Sequence, residues 1–88
     1  MHQSQDKLLG ELKKAADKVK VGGLYYHYKD KNKYYKVLNL AITEADDSIC
    51  VIYEAQYDSK LIFVRPLISW LSKVEWKNKS VDRFTLID

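Results

Sequence analysis

The 88-residue chain has one cysteine, one proline, three glycines and two histidines, and each shortage excludes something. With Cys50 alone there is no intramolecular disulfide, so a small bridge-stapled secreted scaffold is ruled out. Cys50 lies in the β-branched run "SICVIYEA" with no cation beside it, the setting of a packed thiol and not of a reactive one. No apolar run approaches the ~20 residues of a spanning helix. The first twenty residues, "MHQSQDKLLGELKKAADKVK", lack the apolar centre of a signal peptide, so the expected location is cytoplasmic and no membrane partner is expected. His27 has neither a second histidine at ligand spacing nor a nucleophile pattern around it, and His2 near the terminus is a poor ligand. No metal, cofactor or catalytic residue is therefore assigned, and the protein is read as a non-enzyme. "VGG" is too little glycine for a phosphate-binding loop.

The composition, 47% hydrophobic and 31% charged, is that of one folded domain too small for a second. A net charge of +3 is too mild to diagnose nucleic-acid binding, yet the charges are unevenly placed. Lys13, Lys14, Lys18, Lys20, Lys29, Lys31, Lys33 and Lys36 precede the acidic group Glu44, Asp46, Asp47, Glu54 and Asp58. A basic face that attracts anions would follow from that order.

Two segments differ in period. From Ser4 to Lys20 the residues Leu8, Leu12, Ala15, Ala16 and Val19 recur every three or four positions, predicting an amphipathic helix capped by Ser4 or Asp6 and closed by Gly22 and Gly23. A helix this short needs a docking partner, either the rest of the fold or another copy, so residues 1–21 are read as an oligomerisation or docking element and a homo-oligomer is expected. Residues 22–88 read as a small β domain. Its candidate strands are Leu24–Tyr28, Lys33–Ile42, Ile49–Tyr57, Lys60–Val64, Val74–Lys77 and Arg83–Ile87, separated by "KDKN", "TEADDS", "YDSK" and "KNKS". Pro66 directs "RPLISWLS" out of the sheet into a helical turn that lays Leu67, Trp70 and Leu71 over the core. The fold expected is mainly β with an N-terminal helix: a small antiparallel barrel of the Src-homology-3-like kind with five to six strands. Its competitor is an α+β arrangement of one sheet plus the helix.

The segments "LYYHYK", "YYKVLNLAITE", "VIYEAQY", "LIFVRPL" and "RFTLI", taken in order from Gly22 to Ile87, resemble the domain-of-unknown-function family sixteen-fifty-three of small bacterial and phage proteins. That pattern runs Tyr-x-His-Tyr-Lys, Tyr-x-Val, Val-x-Tyr, Val-Arg-Pro-Leu, Arg-Phe. The chain departs from it at Tyr26, where a basic residue is usual, and at Asp30, Phe63 and Asp82, where glycine, tryptophan and proline are usual. The resemblance implies a compact β domain with no established activity, and its phage members suggest a sequestering sponge for nucleotide signals.

Between Gly22 and Val37 lie five of the seven tyrosines, with His27, Lys29, Lys31, Lys33 and Lys36. Alternation along Leu24–Tyr28 puts Tyr25 and His27 on one face and Tyr26 and Tyr28 on the other; along the next strand Tyr35, Val37 and Asn39 share a face. Aromatic rings edged by cations suit a base and its phosphates, since rings stack and cations make charge-assisted bonds. Arg65, restrained by Pro66, is the first candidate for anion contact and Arg83 the second. The candidate ligand-binding set is Tyr25, Tyr26, His27, Lys29, Tyr35, Arg65 and Arg83, and the expected ligand is a small, anionic, nucleotide-like molecule. A single-stranded nucleic-acid binder and a peptide-binding interaction module are the alternatives.

Overall fold

The computed structural model describes residues 4–88, so His2 lies outside the described residues. Helix α1 spans Gln5–Lys18, with the Ser4 hydroxyl accepting from the Lys7 N–H at 3.2 Å as its N-cap. The C-terminal end of its stripe docks on its own chain: Ala15 and Val19 are buried, Leu8 and Leu12 are half-buried and Ala16 is exposed, and the helix contacts the second and third strands of the chain. The two glycines do not close it. Val19 is already extended at φ −126°, and Gly22, at φ +84°, occupies the third position of a turn closed by the Gly23 N–H on the Lys20 carbonyl. A positive φ there is what a type II turn asks of glycine.

Seven strands follow: β1 Leu24–His27, β2 Asp30–Thr43, β3 Ser48–Ala55, β4 Ile62–Pro66, β5 Lys73–Trp76, β6 Lys79–Asp82 and β7 Phe84–Leu86. Every pairing is antiparallel. Five strands form one sheet in the order β4-β3-β2-β1-β7, while β5 and β6 form a separate two-stranded ribbon. The expected barrel is therefore corrected to the sheet-plus-helix arrangement. Among the described residues β4 and β7 are the edges of the sheet, each paired on one side only, and the ribbon joins neither. Between β4 and β5 runs the short helix α2, Leu67–Trp70, with Pro66 at its N-cap position. Pro66 thus ends a strand and begins the helical turn, and Trp70 is buried beneath it. Leu71, expected over the core, is 40% exposed.

Strand β6 departs from the expectation that all of "KNKS" is a turn, since Lys79 and Ser80 belong to the strand. The turn is only Lys77 and Asn78, both at positive φ (52° and 66°), the two-residue type I′ geometry whose twist matches a hairpin. A further departure is a bulge in β2 between Val37 and Asn39. The extra residue shifts the alternation, so Leu40 and not Asn39 lies on the face of Val37.

The core lies on one face of the large sheet. Val19, Tyr25, Val37, Val51, Tyr53, Trp70 and Phe84 form it, with Tyr35, Leu40 and Leu67 packed against it. Both helices contribute to that face. The other face carries Tyr34, Ile62 and Val64, all exposed, the one-sided burial that antiparallel sheets tolerate. Among the described residues no helix is long and apolar enough to cross a membrane.

Candidate functional site

Register assembles the site. Tyr25 pairs with Tyr35, Tyr35 with Ala55, and Tyr53 with Phe63, so residues distant in sequence line up on the core face from β1 across to β4. At the end of that row, beside the β1–β2 turn, a cavity of about 400 Å³ opens. Phe63, Tyr53, Phe84 and Tyr35 give it aromatic walls, and His27, Lys29, Lys33 and Arg65 bring basic groups to it, with Tyr57 and Asp30 completing the lining.

Arg65 is held in place by neutral partners. Its Nε donates to the Tyr53 hydroxyl at 3.3 Å, one terminal nitrogen donates to the Ser69 hydroxyl at 2.9 Å, and its guanidinium lies over Phe84, 5.3 Å from the ring centroid. Among the described residues it makes no ion pair with Glu54, Glu75 or Asp58, the carboxylates within its sequence neighbourhood. A half-buried guanidinium oriented by two hydroxyls and a ring keeps its charge and part of its donor fork for something else.

His27 faces that charge. Its ring packs edge-on to Phe84 at 5.1 Å, and Nδ1 accepts the Lys29 N–H at 3.3 Å. A neutral His27 therefore carries its proton on Nε2. Burial first, then the Arg65, Arg83 and Lys29 cations, hold its pKa below the usual 6.5. The Tyr35 and Tyr57 hydroxyls are 2.6 Å apart, and burial together with that hydrogen bond raises the Tyr35 pKa above the ordinary phenol range. One hydroxyl proton serves the pair; the other is available to a ligand. Lys33 Nζ lies 4.9 Å from the Tyr57 ring centroid.

The pKa of His27 sets a pH dependence with a definite sign. Above pH 6.5 the folded and unfolded chains both carry it neutral, and it adds nothing. As the pH falls below 6.5, the unfolded chain takes up a proton that the folded chain resists, so stability declines until folded His27 itself titrates. Melting temperatures from pH 7.5 down to 5, read on the native chain and on His27→Gln, check this: the variant is expected to lose part of the acid-side decline. An identical pH profile in the two proteins would show that His27 has the same affinity for protons in both states.

Of the seven residues selected from sequence, four line the cavity: His27, Lys29, Tyr35 and Arg65. Tyr25 is core, 5% exposed, its hydroxyl accepting the Lys20 N–H at 2.9 Å. Tyr26, paired with Tyr34, points to the opposite face, where Lys31 approaches its ring. Arg83 adds positive charge near His27, but its Nε is given to the Ser72 hydroxyl at 2.9 Å and it does not line the cavity. The other rings that line the cavity are Tyr53, Tyr57, Phe63 and Phe84. Their signal was present as apolar or aromatic residues at strand positions, indistinguishable there from core. Among the described residues no group of His, Cys, Asp and Glu gathers as a metal site. Cys50 is buried, its Sγ 2.7 Å from the Thr43 hydroxyl.

No curated protein matches the sequence. A crystal structure of a DUF1653 protein from Bordetella bronchiseptica is similar, with a TM-score of 0.66 and 28% identity, covering 75% of this chain and 85% of that one. The family model described as protein of unknown function (DUF1653) matches residues 23–86, the whole sheet from β1 to β7, including the segments that carry His27, Arg65 and Phe84. The chain belongs to the DUF1653 family.

Proposed function

We propose that the protein is a non-enzymatic binder of a small anionic ligand with a flat ring, of the nucleotide-like class, held in the cavity between β1, β3 and β4. The observation that carries this reading is Arg65. A guanidinium fixed by Tyr53 and Ser69, without a carboxylate partner among the described residues, brings charge to a concavity that Lys29, Lys33 and His27 also line. Burying such a cation partway costs free energy that an arriving anion recovers as charge-assisted hydrogen bonds. Phe63, 41% exposed, and Tyr57 offer ring faces for stacking in place of Tyr26. The volume lies at the low end of the ~300–1,000 Å³ typical of small-molecule sites and favours one base-and-phosphate unit over an extended polymer. Nothing in the site pairs a nucleophile with a base, which supports binding over catalysis.

The test is a thermal-shift screen of mononucleotides, cyclic dinucleotides, inorganic phosphate and oligonucleotides. A ligand selective for the folded state raises stability by RT ln(1 + [L]/Kd). The expected result is saturable stabilisation by a mononucleotide-sized anion, larger than that by phosphate alone. Stabilisation that grows with oligonucleotide length and collapses steeply with salt would replace this reading by nucleic-acid binding. No response to any anion would end it.

A further inference from the structure

Among the described residues strand β4 has a neighbour on one side only. Its edge is of the kind that folded proteins normally blunt with charge, yet "LIFV" from Leu61 to Val64 carries none, and those four residues are 59%, 58%, 41% and 65% exposed. The hydrogen-bond alternation can be fixed. The Ala55 N–H donates to the Leu61 carbonyl at 2.9 Å, and Tyr53 pairs with Phe63, so Leu61, Phe63 and Arg65 direct their backbone groups toward β3. Ile62 and Val64 direct theirs outward, unpaired.

This free stretch is bounded on both sides at equal distance from Phe63. Pro66 has no N–H to give, and at the other end Lys60, at φ +53°, turns the chain out of strand geometry. A binding edge that is centred on one residue and offers the same donor and acceptor on either side is self-complementary. We propose that β4 pairs antiparallel with β4 of a second copy, about a two-fold axis through Phe63, joining the two five-stranded sheets into one.

In that register Ile62 and Val64 exchange both backbone bonds with Val64 and Ile62 of the partner subunit, and every outward group is satisfied. Arg65 falls opposite Leu61 of the partner subunit, so no like charges meet directly, although each chain is basic overall. The exposed Ile62 and Val64 side chains become cross-strand neighbours on the open face. Phe63, on the cavity face, meets Phe63 of the partner subunit across the axis, which brings the two cavities side by side. An isologous contact of this type closes at two copies and does not propagate. The interface differs from the one expected at α1, where Ala15 and Val19 are buried against the chain's own sheet.

Light scattering coupled to size exclusion reads the assembly directly. The native chain is expected at twice its 10.3 kDa mass at tens of micromolar. Val64→Pro deletes an outward N–H and leaves the β3 ladder alone, so it should give a folded monomer by circular dichroism. Should that variant not fold, the double variant I62K/V64K places like charges opposite each other at exposed positions and should give the same monomer. Register is tested by oxidation: opposed residues of a non-hydrogen-bonded pair have Cα atoms ~4.5 Å apart, within disulfide reach. Phe63→Cys should therefore cross-link two chains in air while Leu61→Cys does not, the native Cys50 being buried. A monomeric native protein, a Val64→Pro variant that stays dimeric, or equal cross-linking of the two cysteine variants would each overturn the proposal.

Discussion

Replacing Trp70 with alanine is expected to cost about 3–5 kcal/mol of stability, the range for large aromatics removed from cores. The indole is 3% exposed and stacks on Phe84, with ring centroids 3.7 Å apart and planes within 5°. Tyr25 and Tyr53 meet it edge-on at 5.2 and 4.9 Å. Its removal leaves a void between the sheet and α2, bounded by rings too constrained by their strands to close it. For a domain of this size, whose total stability is on the order of 5–10 kcal/mol, that loss takes up much of the margin. Chemical denaturation of the variant is the measurement, and a midpoint unchanged from the native protein would show that α2 is dispensable for the core.

Removing Arg65 has the larger functional effect. Arg65→Ala is expected to weaken binding of the ligand found by thermal shift by about 1.5–3 kcal/mol, the worth of a hydrogen bond to a charged group. Some stability goes with it, since bonds to Tyr53 and Ser69 are lost, but these join neutral hydroxyls to a half-buried group and contribute about 1 kcal/mol. Arg65→Lys separates the two effects. An ammonium cannot reach both hydroxyls and still present a planar fork, so charge is kept while affinity is only partly restored. Isothermal titration of the three proteins decides it. If Arg65→Ala melts earlier and binds as before, the guanidinium is a strut between β3, β4 and α2, and the anion is held by the lysines.

The elements most legible in the sequence were those whose pattern is local. Helix α1 announced itself by Ser4 and the Leu8, Leu12, Ala15, Val19 spacing, and α2 by Pro66. Most strands followed from β-branched and aromatic runs. Strand β6 was hidden because "KSVD" is polar, and its place is fixed by the Lys77–Asn78 turn and not by its own side chains. Open and closed sheets share the same alternation along each strand, so the absence of closure depends on which strands meet, a long-range property. The same distinction governs the site. That His27 and Arg65 serve one cavity follows from the register of β1 through β4, and their candidacy was visible because a lone histidine among cations and an arginine before proline stand out. Tyr25 and Tyr26 lie away from the cavity, which sequence does not reveal, because both faces of β1 carry tyrosine and only packing tells which face is core. The bulge after Val37 leaves no mark in composition at all.

Phe84 is shared property. One side of its ring lies under the Arg65 guanidinium and lines the cavity, and the other is stacked on Trp70 in the core. Any substitution that would deepen the cavity at that point also excavates the centre of the fold. If the cavity holds the proposed ligand, its preference can be altered without excavating the core only at the rim, at Phe63, Tyr57, Lys29 and Lys33. Substitutions at those four positions are expected to change what the proposed site accepts, whereas substitutions in the Phe84–Trp70 pair are expected to lower stability first.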